Sequence, residues 1–282
     1  MKTKNYLLTF GLIACSVVST YFVTVSTAQP GTKPVQVVAD NEYQVGGVLY
    51  MQKAAEYRAI AYQTFNLARW QLDADLDKKN VKKLPKADQK KPRAVMVDID
   101  ETVLDNSPAQ AAAIKGRTAF NLKDWYAWGE MRKAKAIPGS VEFFNYAVSK
   151  GVKVFFVSNR DEVQKAATIE NLKSVGLADI SADNVVLRAG ESSKEARRQA
   201  IMAKYRLIMS FGDNLDDHSN VFEKKSVADR FAETDKAKEL FGKRYFVLPN
   251  AMYGTWESAI YEYGRLNEAQ KTEKRAAAME LP

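Results

Sequence analysis

Residues 94–106, AVMVDIDETVLDN, constrain this chain more than any other stretch. Four apolar residues run directly into Asp98, and Asp100 and Thr102 follow at spacings of two. A short apolar run bounded by polar residues is the pattern of a strand buried in a parallel sheet. Its carboxylates then fall at the strand's C-terminal end, the edge where open α/β sheets bind ligands. Side chains alternate along a strand, so Asp98 and Asp100 share one side. Carboxylates crowded there repel unless a cation or a shared proton intervenes, and burying them unpaired is costly. Taken alone, the pattern is short, and an acidic turn after a core strand explains it equally well.

Four more runs remove that ambiguity. GVKVFFVSNR (151–160) ends in Ser158 and Asn159, and NVVLR (184–188) is followed closely by Lys194. RLIMSFGDNLDD (206–217) ends in Gly212, Asp213, Asp216 and Asp217, and RYFVLPN (244–250) is the last. Helix-compatible stretches such as DEVQKAATIENLKSVG and SSKEARRQAIMAKY separate most of them. Strands alternating with helices make right-handed βαβ units and a parallel sheet. The polar ends of the first, second and fourth runs therefore converge on one edge.

In that order, DIDET, SN, Lys194 and GDNLDD resemble the four motifs of the haloacid-dehalogenase-like (HAD) phosphatases. VDIDETVLDNSP, KDW at 123–125, AIPGSVEFFNYA, SNR, GDNLDD and LPNAMYGTWE are similar to the class C acid phosphatases, the bacterial lipoprotein 5′-nucleotidase family. The similarity runs from about residue 46 to about 257. It implies an α/β fold: a HAD-like Rossmannoid core with a central parallel sheet flanked by helices, plus a mainly helical cap.

The residues suit phosphoryl transfer, which needs positioning and charge stabilisation more than elaborate covalent chemistry. Asp98 is the candidate nucleophile, splitting hydrolysis into two steps through an acyl phosphate. Asp100 is the candidate general acid and base. A dianionic ester beside two carboxylates needs a cation, and oxygen ligands favour a hard ion such as Mg²⁺. The resemblance implies that Asp98, the backbone carbonyl of Asp100 and Asp213 hold this metal, with Asp217 supporting them from behind. It also implies that Ser158 and the amide of Asn159 bind phosphoryl oxygens, and that Lys194 neutralises the phosphoaspartate. Trp125 and Tyr253, with Phe120 as a third candidate, stand at the family's base-stacking positions, and a flat base stacks well on aromatic rings.

Singly, each residue has a plainer reading. Ser158 suits a helix N-cap, Lys194 an exposed first helical turn, and 213–217 an acidic turn. Asp216 reads as an undecided helix-start residue, and His218 as a surface or supporting residue. Trp125 and Tyr253 read as ordinary core.

Composition narrows the alternatives. With 282 residues, 46% hydrophobic and 27% charged, the chain suits one globular domain plus extras. Its 42 Lys+Arg against 34 Asp+Glu give a net charge of +8, which favours anionic ligands or an anionic membrane surface. The cations are dispersed, so nucleic acid is not an expected partner. One histidine and one cysteine exclude a histidine-phosphatase pair, a multi-histidine zinc site and, after Cys15, an internal disulfide.

Lys2 and Lys4 precede an apolar stretch over 6–25, so residues 1–28 read as a signal segment. Two processing sites compete: a lipobox ending at Cys15, the possible lipidation site, and cleavage after Ala28. The expected location is the bacterial cell envelope, as an outer-membrane lipoprotein or a periplasmic protein. A polar leader over 29–43 precedes one long amphipathic helix over 44–77 and a linker over 78–93. The core spans 94–254 with a cap insertion at about 107–140, and 255–282 forms a helical tail. Expected partners are small phosphomonoesters, nucleotides among them, a membrane through a lipid anchor, and a second copy in a homodimer. Two competing functions stay open: an envelope lipoprotein with a ligand-binding or adhesive role, and a nucleoside phosphotransferase using the same residues.

Overall fold

The structure, a computed structural model, describes residues 41–282. The signal segment, with Cys15 and Ala28, and most of the leader lie outside the described residues. Among the described residues, no helix is long and apolar enough to cross a membrane.

The described residues open with a 3-10 turn (Glu42–Gln44), then α1 (Val45–Lys53), α2 (Ala55–Leu76) and two short helices, α3 (Lys78–Val81) and α4 (Lys86–Lys90). Then come β1 (Arg93–Val97), β2 (Leu104–Asp105), α5 (Ser107–Gly116), α6 (Leu122–Met131) and β3 (Lys135–Ala136). The α/β alternation follows: α7 (Ser140–Ser149), β4 (Lys153–Asp161), α8 (Lys165–Ser174), β5 (Val185–Arg188), α9 (Glu195–Lys204) and β6 (Arg206–Gly212). The chain closes with α10 (Val227–Lys236), β7 (Tyr245–Val247), α11 (Thr255–Ile260) and α12 (Glu268–Ala277).

Five strands form a wholly parallel sheet in the order β5-β4-β1-β6-β7. β1 lies at its centre because Ala94–Val97 is apolar on both faces and buried throughout. Six phenylalanines fill one face: Phe65 of α2, Phe143 and Phe144 of α7, Phe156 of β4, Phe211 of β6 and Phe246 of β7. Phe211 stacks on Phe65 at 5.8 Å and on Phe246 at 4.8 Å between ring centroids. Offset rings at such spacings add to the energy of burial.

Two sequence expectations need correction. The single helix over 44–77 is two helices, broken where Ala54 turns extended with ψ of 127°. No proline or glycine stands there to signal the break. It comes from tertiary packing, since α1 lies against α5 while α2 lies against α7 and β7. The linker over 78–93 carries the short helices α3 and α4.

The insertion after β1 springs from a two-stranded antiparallel stem, with Leu104 opposite Ala136 and Asp105 opposite Lys135. Its body is the helical pair α5 and α6. At the opposite edge of the sheet, Arg93 and Arg206 open β1 and β6, and both bind Asp75 of α2 at 2.6 Å. That clamp holds the end of α2 against the N-terminal edge and leaves the C-terminal edge for chemistry.

Candidate active site

β1 runs into Asp98, whose amide donates to the Phe211 carbonyl at 2.9 Å and continues the ladder. β6 runs through Gly212 into Asp213. The turn after it is a 3-10 turn, Leu215–Asp217, in which Asp217 accepts from the Asn214 amide at 3.1 Å. Asp217 thereby folds back over the end of β6. A Cβ at Gly212 would lie 2.4 Å from the Cβ of Asp217, so only glycine allows this approach. Carboxylate oxygens of Asp98, Asp213 and Asp217 all lie within 4.8 Å of one another.

Lys194 immediately precedes α9, and its ammonium reaches into this trio. It pairs with Asp98 and, at 2.7 Å, with Asp217. Lys194 is buried, which corrects its reading as an exposed first-turn lysine. Burial pulls its value down, but Asp217 and Asp98 outweigh that and hold it charged. The Asp98 carboxyl is raised to about 7, by burial first and also by Asp217 and Asp100, against the pull of Lys194. Asp213 is raised well above the ordinary range by burial and by Asp217 and Asp98. Three carboxylates against one ammonium leave excess negative charge in a desolvated site, and their donors are all oxygen. That set fits a hard divalent cation, which would return the acids to their charged forms.

Asp100 has a different cation. The Arg160 guanidinium grips it through Nε at 3.0 Å and NH2 at 2.7 Å, and Ser158 Oγ donates to it at 3.2 Å. Its carboxylate is thus outside the trio; the resemblance assigns only its backbone carbonyl to a metal. Ser158 lies within β4 and is buried, so it caps no helix. Asn159 is exposed, and its side chain accepts from Arg197 at 2.6 Å. Arg197 also donates to the Ser158 carbonyl at 2.7 Å and so pins the end of the phosphate-binding candidates.

Asn106 joins these groups to the cap. It donates to Asp100 at 2.8 Å, and its carbonyl oxygen accepts from Trp128 Nε1 of α6 at 2.8 Å. Glu101 is wholly buried in a left-handed conformation, with φ of 57°. It accepts from the Asn106 amide at 2.7 Å and from the Tyr253 hydroxyl.

Of the proposed aromatics, Trp125 lies half-buried on α6 with the Arg160 guanidinium 5.5 Å from its ring centroid. Phe120 is exposed, 6.3 Å from Trp125. Tyr253 packs partly against the core. Its loop is tied to the trio by Asn250, whose amide donates to Asp213 at 2.8 Å. Asp216 resolves into the 3-10 turn and pairs with Arg230 at 2.8 Å. His218 is not a surface residue. It is buried, bonded to Ser210 Oγ at 2.8 Å, and burial lowers it to about 4, which keeps it neutral.

Sequence reasoning missed Glu101, Asn106, Arg160, Arg197 and Asn250 as site residues. Four of them lie in or beside quoted motifs, DIDETVLDNSP, SNR and LPNAMYG. Arg197 had no local signal, because it reaches β4 from another element.

The family model described as HAD superfamily, subfamily IIIB (Acid phosphatase) matches residues 17–256. Acid phosphatase 1 of Solanum lycopersicum is 28% identical over 128 residues, covering 43% of this chain and 49% of that protein. The Stem 31 kDa glycoprotein of Glycine max is 28% identical over 161 residues, covering 55% and 57%. The chain thus spans about half the length of the curated relatives it matches. Among solved structures, the class C acid phosphatase from Bacillus anthracis superposes with a TM-score of 0.78 at 36% identity, covering 85% of this chain and 97% of that chain. A tungstate-bound structure of the Bacillus anthracis protein matches with the same figures.

Proposed function

Because this chain belongs to the HAD superfamily, subfamily IIIB, of acid phosphatases, we propose that it is a Mg²⁺-dependent phosphomonoesterase acting on nucleoside 5′-monophosphates and other small phosphate esters. One observation carries the reading. Asp98 ends the central strand beside Lys194, within 4.8 Å of Asp213 and Asp217. The Bacillus anthracis relative binds tungstate, a tetrahedral oxyanion of phosphate's shape, which agrees with a phosphoryl site on this fold.

The chemistry runs in two displacements. An Asp98 oxygen attacks phosphorus, the P–O bond to the leaving alcohol breaks, and Asp100 gives the departing oxygen its proton. Water then attacks the phosphoaspartate, Asp100 takes the water's proton, and inorganic phosphate leaves as the Asp98 carboxylate re-forms. Arg160 and Ser158 hold Asp100 in one orientation throughout. Lys194 offsets charge on the phosphoryl group and on Asp98. Mg²⁺ held by Asp98, Asp213, the Asp100 carbonyl and the supporting Asp217 would neutralise substrate charge and polarise the phosphoryl oxygens. Trp125 and Tyr253 stack the base, with Phe120 at the rim.

We also propose export to the cell envelope, with the chain anchored through Cys15 or released after Ala28. The charged start, the apolar run and the small residues that follow support this.

The deciding measurement is phosphate release from nucleoside 5′-monophosphates and from glycerol phosphate, with and without Mg²⁺, over a pH series. Asp98→Asn serves as the control: nearly isosteric, it folds but cannot attack phosphorus well. Near-normal turnover by folded Asp98→Asn would remove the covalent route. No turnover of any ester by the wild type would remove the enzyme.

A further inference from the structure

The segment that precedes the sheet reaches the same loop as the catalytic carboxylates, from the other side. The loop over 250–254 carries Tyr253. On its sheet side it is fastened by Asn250 to Asp213 and by Tyr253 to Glu101. On its other side lies the first helical turn of the described residues, the 3-10 turn Glu42–Gln44. Gln44 donates from Nε2 to the Met252 carbonyl at 2.9 Å, while its Oε1 accepts from Gln110 of α5 at 2.5 Å. Gln44 is 8% exposed; its bond to Met252 is buried and its bond to Gln110 is partly buried. Gly47 of α1 lies so close beneath the loop that a Cβ there would stand 2.6 Å from the Ala251 carbonyl oxygen.

The same turn touches the cap again at Asn41, which donates to the Thr118 carbonyl at 3.2 Å. It is held at its back by Tyr43, whose hydroxyl donates to Glu257 of α11 at 2.6 Å, with the Arg275 guanidinium 3.7 Å from the Tyr43 ring centroid. The segment over 41–47 therefore makes contacts in three directions: to the cap, to the Tyr253 loop and to the C-terminal helices. No phosphate-directed residue lies in it.

We propose that Gln44 is a specificity-positioning residue: one amide spans the gap between cap helix α5 and the Tyr253 loop and sets the aperture through which the non-phosphate end of the substrate enters. The proposal deepens the phosphatase reading and rests on it for the substrate. Its physical basis is that a glutamine donates and accepts at once, so a single side chain fixes two otherwise independent segments against each other. A substrate gripped at phosphorus by the sheet edge and at its ring by cap and loop is sensitive to that spacing. A small ester gripped only at phosphorus is not.

Three variants test it by two readouts. Gln44→Ala removes both arms. Gln44→Glu keeps the acceptor for Gln110 but replaces the donor to Met252. Gly47→Ala keeps the Gln44 side chain, but its Cβ would stand 2.6 Å from the Ala251 carbonyl oxygen and so displaces the loop; exchange over 250–254 should quicken in it too. The substrate-independent readout is amide hydrogen exchange over 250–254. The second is the KM and kcat split for adenosine 5′-monophosphate against glycerol phosphate.

All three variants should keep wild-type circular dichroism. Exchange over 250–254 should quicken about tenfold in Gln44→Ala and Gln44→Glu, as loss of one buried hydrogen bond predicts. The nucleotide's kcat/KM should fall relative to glycerol phosphate's by roughly three- to tenfold, through KM. Unchanged exchange in folded Gln44→Ala overturns the brace, whatever the substrate proves to be. Quickened exchange with both esters losing rate equally overturns the specificity role. A wild type that does not prefer nucleotides over glycerol phosphate counts against the nucleotide reading, and the exchange result still decides the brace.

Discussion

Arg160 grips Asp100 with two nitrogens, Nε at 3.0 Å and NH2 at 2.7 Å, although its side chain is only 1% exposed. A buried fork of this kind fixes direction as well as charge. It leaves Asp100 a cation of its own, separate from the Lys194 ammonium that Asp98 and Asp217 share. The two acids of the DID motif therefore pair with different cations, although Asp100 still raises Asp98.

Arg160→Lys should keep the charge and lose the fork. The expected outcome is a folded protein whose kcat falls by roughly a hundredfold, the scale of a small misplacement of a reacting group. KM should change little. The measurement is steady-state kinetics beside a thermal melt. A wild-type kcat in the lysine variant would show that orientation of Asp100 is immaterial.

Gly212→Ala should disable the acidic trio without touching a carboxylate. The added methyl lies within 2.4 Å of Asp217 Cβ and displaces that residue. Titration calorimetry should show weaker Mg²⁺ binding, by at least about tenfold, with phosphatase activity falling alongside. EDTA should silence the wild type, and Mg²⁺ should restore it. Full activity in a chelated, metal-free wild type would contradict this account of the site.

Trp125→Ala and Tyr253→Ala separate a nucleotidase from a general phosphatase. Base–aromatic stacking is worth about 1–3 kcal/mol per base. Each change should cut kcat/KM for a nucleoside 5′-monophosphate by roughly five- to a hundredfold and alter glycerol phosphate little. The ratio of the two specificity constants is the readout. Equal losses on both esters would make the rings structural.

Asp75 supplies a pH test remote from the chemistry. Burial would raise its carboxyl, but hydrogen bonds from Arg206 and Arg93 win and hold it below its ordinary value of 3.8. The unfolded chain therefore takes up this proton first as pH falls. The clamp's contribution is fully present above about pH 4 and is lost as pH drops through the folded value. Urea unfolding at pH 5 and pH 3 should show a smaller stability loss in Asp75→Asn than in the wild type. An identical loss in both would remove Asp75 from the acid response.

The parallel sheet and the acids at its strand ends were legible because each rests on a local pattern. An apolar run followed by an acid reads the same in any context, and the order of DIDET, SN, Lys194 and GDNLDD supplied the rest. The break at Ala54 was not legible. Nothing in the sequence around it opposes helix, and α1 leaves the axis of α2 because α5 offers it a different face. The plain readings of Ser158 and Lys194, and the surface alternative for His218, failed for a related reason. Burial is a property of what packs over a residue, and a polar side chain in a short segment gives no sign of it.

By itself, the sequence determined the α/β class, the strands that carry chemistry and the acids 98, 100, 213 and 217. The class and the strands follow from hydrophobic periodicity; the acids were singled out by the order of the motifs and the family that order resembles, since periodicity alone left an acidic turn equally open. Only the tertiary structure decided how charge is shared among them. Lys194 lies 96 residues from Asp98, and Arg160 lies 60 from Asp100. Which cation meets which acid depends on strand order, with β4 and β6 on either side of β1. The same holds for Gln44 and Met252, 208 residues apart, whose bond exists because folding carries the turn before α1 onto the loop before α11.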